Sequence, residues 1–170
     1  SRFNMMFTLR IAKKKYLSVI RSLAERTWPL TYGDIISLEQ INYMLSKMYS
    51  DDELLSQLQP GHVFLIASDE KEDVGFAGFS LINADEHLYK LHKLYVLPVA
   101  QGAGLGRLLL KEVLENVKQQ GGQSLALNVN RENDAFYFYE KMGFQIKKAV
   151  DLDIGNGFYM NDYIMGLDLY

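Results

Sequence analysis

The chain has no cysteine, only three prolines and no surplus of positive charge, and each shortage removes a class of explanation. Without thiols there are no disulfides, no cysteine-ligated zinc and no cysteinyl acyl intermediate, and a reducing, cytoplasmic setting is the one expected. Eighteen Lys and Arg stand against 21 Asp and Glu, a formal charge of -3. The basic surface that counterion-release binding to nucleic acid depends on is therefore lacking. No apolar run approaches the length of a membrane span, and no signal-peptide-like stretch opens the sequence. Neither nucleic acid nor a membrane is expected as a partner. His62, His87 and His92 show no ligand spacing with nearby carboxylates, so no metal is expected either.

What is present suits a folded enzyme-sized unit. A length of 170 residues with 48% hydrophobic content supports one substantial core, and residues 1–170 are expected to form a single domain. Residues 6–12 read as a strand. Residues 14–27 follow as a helix with Leu17, Ile20, Leu23 and Ala24 on one face, ended by Trp28-Pro29. From Asp34, a candidate N-cap, apolar residues recur at helical spacing from Ile35 to Met48. After Pro60-Gly61 the pattern changes to three strands, 62–67, 74–82 and 88–97, joined by polar turns. A strongly amphipathic helix over 104–120 stops at Gly121-Gly122, a strand spans 123–129, and a short helix covers 133–142. Closing strands are expected near 144–152 and 158–169. The order βααβββαβαββ describes an α/β fold with one strand–helix–strand crossover in a largely antiparallel sheet.

The sharpest local signal is Gln101-Gly-Ala-Gly-Leu-Gly106, lying between a strand and a helix. Small residues there let backbone amides approach an anion, and the helix N-terminus adds partial positive charge. A tight connection alone would also use glycines. Arg107 occupies the place of the third glycine of a dinucleotide fingerprint, and no Gly-Lys-Ser/Thr follows, which disfavours two common nucleotide loops. Leu94-Tyr-Val-Leu-Pro98, then Gln101-Gly-Ala-Gly-Leu-Gly-Arg107 and Leu108-Leu109, resembles the central motif of the GNAT superfamily of acyl-CoA-dependent N-acyltransferases. The family pattern Gln/Arg-x-x-Gly-x-Gly/Ala is matched without substitution. Asn133-Asp-Ala-Phe-Tyr-Phe-Tyr-Glu-Lys-Met-Gly-Phe144 resembles the family's second signature. The resemblance is good over residues 60–169. The N-terminal third shares only the strand–helix–helix plan.

The resemblance implies a GNAT-like sheet flanked by helices and acetyl-CoA as co-substrate. It implies that the amides of Gln101, Gly102, Ala103, Gly104, Leu105, Gly106 and Arg107 hold the pyrophosphate, with Arg107 adding charge. It places the pantetheine arm along the main chain of Leu94, Tyr95 and Val96, as an extra strand would lie. Asn133 contacts that arm in the family and equally suits a helix N-cap. Tyr139 matches the tyrosine that protonates the departing thiolate, and with its aromatic neighbours it also suits ordinary core. Gly143 and Pro98 read as scaffold, a left-handed helix stop and a strand terminator.

Acetyl transfer needs a neutral amine, whereas an alkyl amine with a pKa of about 10.4 is almost wholly protonated at neutral pH. A base is required. Many relatives carry a glutamate on the strand before the loop where this chain has His92, an imidazole that titrates near neutrality, and Lys90 stands where related polyamine acetyltransferases often carry acid. The catalytic pair expected from the resemblance is thus Tyr139 and His92. Trp28-Pro-Leu-Thr-Tyr-Gly-Asp34 and Glu39 supply aromatic and acidic groups suited to a cationic amine, or simply pack and cap the helices. The pattern is most similar to bacterial polyamine acetyltransferases, which makes a small-molecule amine the expected partner. Peptide or protein amines, and a non-catalytic acyl-CoA-binding sensor or interaction module, stay open. Exposed strand edges leave a homodimer open as well.

Overall fold

A computed structural model describes residues 6–170. The first strand, β1 (Thr8–Ile11), is followed by a single turn over Lys14–Tyr16 and by three helices, α1 (Leu17–Tyr32), α2 (Leu38–Tyr49) and α3 (Asp51–Gln57). Then come β2 (His62–Ser68), β3 (Asp73–Asn83), β4 (Leu88–Val96), α4 (Leu105–Gln119), β5 (Ser124–Asn130), α5 (Ala135–Lys141), β6 (Gln145–Gly155) and β7 (Phe158–Asp168). The strands form one seven-stranded sheet in the order β1-β2-β3-β4-β5-β7-β6. Every pairing is antiparallel except β4 with β5. This is the α/β architecture that the sequence implies, with one helix more in its N-terminal third.

Two local expectations are corrected. α1 runs through Pro29 to Tyr32 instead of stopping at Trp28. Proline removes one helical hydrogen bond, but Trp28 and Tyr32 lie a turn apart with 1% and 6% exposure, and burial of two aromatic rings outweighs that loss. Asp34 is not a cap. Ser37 caps α2, its hydroxyl accepting from the Gln40 amide at 3.1 Å. Ser50 likewise caps α3, accepting from the Glu53 amide at 3.2 Å, with Asp51, Asp52 and Glu53 in the first turn where the helix dipole favours acid.

Both faces of β3 are buried from Val74 to Phe79, and alternate residues meet different helices. A Cβ at Gly75 would stand 3.2 Å from Leu105 Cδ2 and 3.4 Å from Leu109 Cδ1, so α4 packs closely on that face. On the other face Phe76 meets Tyr49 and Tyr95 edge-on or tilted, with ring centroids 6.1 and 5.7 Å away. Trp28 completes this cluster, 4.6 Å from Tyr32, 5.7 Å from Tyr95 and 5.9 Å from Tyr49. The aromatic cluster thereby ties α1 and α2 to β3 and β4, while α4 is held from the opposite side.

Two features of β4 position the site. Its parallel ladder with β5 lasts only from Leu88↔Ser124 to Leu91↔Leu127. Beyond it β4 stays paired with β3 as far as Val96↔Gly75, and β5 stays paired with β7 as far as Asn130↔Asp162. The two strands therefore part. In addition the β3–β4 register slips so that Gly78 faces Lys93 and Phe79 faces Leu91, leaving His92 as the extra residue of a β-bulge.

Because β3 seats α4 through a glycine, enlarging that position should loosen the whole support of the loop. Gly75→Val is expected to lower the urea unfolding free energy by about 1–3 kcal/mol, the cost of overpacking a close contact. An unchanged unfolding midpoint would mean that α4 can shift without penalty.

Candidate active site

The gap between the parting strands is a cleft of about 700 Å³ lined by Leu94, Tyr95, Val96, Gln101, Gly106, Asn133 and Tyr139, with Thr27, Leu30, Thr31, Asp34 and Ile35 from the α1–α2 side. Seven of the residues singled out in the sequence thus share one cleft. The β5-facing main-chain groups of β4 beyond Leu91 have lost their sheet partner, and an unpaired edge of this kind can take an extended ligand. The Gln101 side-chain amide donates to Val96 O at 3.2 Å and fixes the exit from the strand.

The loop after β4 turns through Pro98–Ala100 and then through two left-handed glycines, Gly102 at φ 78° and Gly104 at φ 81°. Gly104 is the N-cap of α4, and the first intrahelical bond runs from the Leu108 amide to Gly104 O. The amides of Leu105, Gly106 and Arg107 belong to the first turn, which has no intrahelical acceptors. At Gly106 the cleft is open because there is no side chain. A Cβ there would stand 3.7 Å from the ring of Phe138 on α5. Gly102, Ala103 and Gly104 are not among the residues that line the cleft, Leu105 is core at 1% exposure, and Arg107 is exposed. A pyrophosphate fits this cradle: free amides, a helix N-terminus and a gap kept clear by glycine.

The Asn133 side-chain oxygen accepts from the Ala135 amide at 2.9 Å, one residue ahead of Asp134, the N-cap of α5, and Asn133 also lines the cleft, so both expected roles are compatible with its place. Tyr139 is 7% exposed and lines the cleft and the narrow recess at its inner end, together with His92, Leu94 and Asn133. Burial, reinforced by nearby Tyr32, pushes its phenol well above the usual value, so it keeps its proton at neutral pH. Tyr32 and Tyr95 share a hydrogen bond between hydroxyls at 2.8 Å behind it.

A second pocket, of about 500 Å³, lies on the α1 side of the sheet and shares Tyr32, Leu91, His92, Lys93, Tyr95 and Asn128 with the recess. The bulge turns His92 and Lys93, neighbours in sequence, into the same pocket. His92 Nε2 is 2.6 Å from Ser80 Oγ, and its ring stacks on His62 at 5.2 Å and 17°. Burial first, then His62, Lys90 and Lys93, pulls the His92 imidazole down to about 3. Burial and then Lys93 pull His62 down to about 4. The expectation that His92 takes the amine's proton therefore meets unfavourable electrostatics, since its charged form would sit desolvated among positive groups.

Sequence reasoning missed several groups of this pocket. Lys93, 5% exposed, donates to Gln57 Oε1 at 2.6 Å and lies over the Tyr49 and Phe64 rings at 5.4 and 5.5 Å. Burial lowers its pKa to about 8, with Glu53 acting against the fall. Asp162, 6% exposed, accepts from Asn128 Nδ2 at 3.3 Å through Oδ2. The alternation of β7 could have placed Asp162 on the inner face; no local pattern marked it as part of a pocket with β4.

With this geometry in place, the comparisons with known proteins are decisive. A family model described as an acetyltransferase (GNAT) domain matches residues 34–161. The chain belongs to the GNAT acetyltransferase family. It is 33% identical over 138 residues, 79% of this chain and 78% of the relative, to the uncharacterized N-acetyltransferase YuaI of Bacillus subtilis. It is 28% identical over 149 residues, 84% of this chain and 91% of the relative, to a protein of Thermoplasma acidophilum named spermidine N(1)-acetyltransferase. Among solved structures, the PaiA N-acetyltransferase of Thermoplasma acidophilum in complex with coenzyme A is similar with a TM-score of 0.82 at 27% identity, covering 96% of this chain and 99% of that one. As a GNAT enzyme the protein has its family signatures on β4, the following loop and α5, the three elements that build the cleft.

Depressed imidazoles have a thermodynamic consequence. Between pH about 4 and 6.5 the unfolded chain takes up protons that native His62 and His92 refuse, so stability rises with pH across that window and is lost as pH falls through it. The drop in urea unfolding free energy from pH 7 to pH 5 should shrink in a His62→Phe/His92→Gln double variant. An equal drop would show that both rings titrate normally.

Proposed function

We propose that the protein transfers the acetyl group of acetyl-CoA directly to a primary amine of a small molecule. The observation that carries this reading is the wall shared by the β4–β5 cleft and the second pocket, which gives one site two chambers, one suited to a long phosphate-bearing donor and one to a compact acceptor. The likeness to a Thermoplasma enzyme crystallised with coenzyme A supports the donor.

Acetyl-CoA bound in the cleft supplies an acetyl group activated as a thioester. The first-turn amides of α4, Leu105, Gly106 and Arg107, with those of Gly102 and Gly104, hold its pyrophosphate, while the Gln101 and Ala103 amides are spent on Pro98 O and Ala100 O at 3.2 and 3.3 Å and shape the loop. The free edge at Leu94, Tyr95 and Val96, with Asn133 opposite, orients the arm that carries the sulfur. The amine nitrogen attacks the carbonyl carbon and the carbon–sulfur bond breaks. Of the ammonium's protons, one is taken up by the acceptor pocket before attack and one reaches the sulfur as the amide forms. Tyr139, protonated and at the inner end of the cleft, is the group placed to deliver the proton to sulfur. His92, neutral and held by Ser80, shapes the acceptor chamber.

The test is free-thiol release from acetyl-CoA across a panel of amines, amino acids, amino sugars and short peptides. Tyr139→Phe is expected to lower kcat by about 100-fold or more with acetyl-CoA affinity retained, and Gly104→Glu, which puts a carboxylate and a strained φ at the phosphate loop, should abolish acetyl-CoA binding. Tight binding of acetyl-CoA with no turnover on any amine would favour a sensor instead.

A further inference from the structure

The acceptor chamber carries a charge pattern that the reaction as described does not use. Asp162 Oδ1 is buried and has no hydrogen-bond partner, although an ionised carboxylate without a partner is costly to bury. Arg131, which also acts on its charge, does not pair with it. Arg131 donates to the main-chain oxygens of Val150 and Asp162, both at 3.1 Å, and pairs with Asp151 at 2.7 Å. Among the described residues one oxygen of the Asp162 carboxylate thus lacks a partner, in a side chain that lines the pocket.

Across the pocket floor stands Lys90. It sits on β4 opposite Ser80, on the face that also presents His92, and β5 lies between it and β7, the strand of Asp162. Lys90 and Asp162 influence each other's charge, yet among the described residues neither belongs to an ion pair within 4 Å. Lys93 is different: Gln57 and two aromatic rings already hold its ammonium. The chamber therefore offers one unsatisfied anion and one unsatisfied cation, on strands separated by β5.

We infer that the acceptor is a zwitterionic small molecule, an amino acid or similar amino-carboxylate, whose ammonium seats on Asp162 and whose carboxylate seats toward Lys90. This rests on the acetyl-transfer reading above and names its substrate class. A polyamine satisfies Asp162 but brings a further ammonium into a chamber that already holds Lys90 and Lys93, with His62 and His92 unable to help as neutral rings. An amino-carboxylate satisfies both charges at once. Asp162 also provides the proton acceptor that His92 does not. Burial raises its proton affinity against the opposing pull of Asn128, Lys90 and Arg131, so it can take one proton from the seated ammonium and pass it to solvent after transfer. The amine nitrogen then forms the amide bond, and its second proton leaves with the thiol.

The experiment compares kcat/KM for matched pairs, α-, β- and γ-amino acids against the same amines lacking the carboxylate, with spermidine alongside. Acetyl-CoA affinity is measured on every protein by calorimetry. Wild type is expected to prefer one class of amino-carboxylate over its decarboxylated partner by about ten-fold or more, the worth of one charged hydrogen bond. Lys90→Met should erase that preference and Lys90→Glu should invert it toward diamines. Asp162→Asn, nearly isosteric and able to keep its contact with Asn128, should cost at least ten-fold on both members of each pair. If acetyl-CoA binds and wild type acetylates spermidine or the decarboxylated amines as well as or better than every amino-carboxylate, or none of the amino-carboxylates at all, the inference is overturned while acetyl transfer stands. Failure to bind acetyl-CoA would instead sink the transferase reading itself.

Discussion

The short parallel ladder between β4 and β5 is the constraint on which the site depends. Parallel strands joined by a crossover helix would normally pair along their length, with each edge satisfying the other. Here the pairing ends at Leu91↔Leu127, while the far ends stay paired on their other sides, β4 with β3 and β5 with β7. The gap that opens leaves main-chain hydrogen-bonding groups unpaired in the middle of a sheet, a place where native proteins rarely leave them. An extended ligand that completed the ladder, as proposed above, would recover that cost.

Everything around the gap holds it open. Trp28, Tyr32, Tyr49 and Phe76 clamp the inner half of β4 from one face through Tyr95, and α4 presses on the other at Gly75. The bulge at His92 adds one residue to β4 and directs two successive side chains into the acceptor chamber. Without the bulge, either His92 or Lys93 would point into the opposite face, and the chamber would lose part of its wall. The same rigid frame desolvates the imidazoles and Lys93, pushing all three toward their neutral forms. Fold geometry and protonation state are therefore set together.

Much of this was legible in the chain. From His62 to Asp168 each strand and helix lies within a few residues of where periodicity and glycine punctuation place it, because those elements are long, strongly patterned and bounded by turns. The glycine loop after β4 was legible for the same reason: Gly102, Gly104 and Gly106 act through backbone conformation and missing side chains, both local properties. The N-terminal third was less legible. Pro29 carries a strong local signal to stop, and long-range burial of Trp28 and Tyr32 overrode it. By contrast Ser50-Asp-Asp-Glu53, which opens α3, is a local capping signal that was present and went unread.

By itself the sequence determined the order of elements, the glycine loop after β4, the placement of Asn133 just before the last helix and of Tyr139 on it, and the family, since each depends on residues close together in the chain. The tertiary structure alone decided the second pocket. His62, Lys90, Lys93, Asn128 and Asp162 come from four strands, and their charges depend on burial and on one another. No local pattern encodes which strands are neighbours, that β4 carries a bulge, or that Asp162 lies buried with one oxygen unpartnered. Electrostatic environment is a property of the packed sheet, and it exists only once distant segments have removed water from the same space.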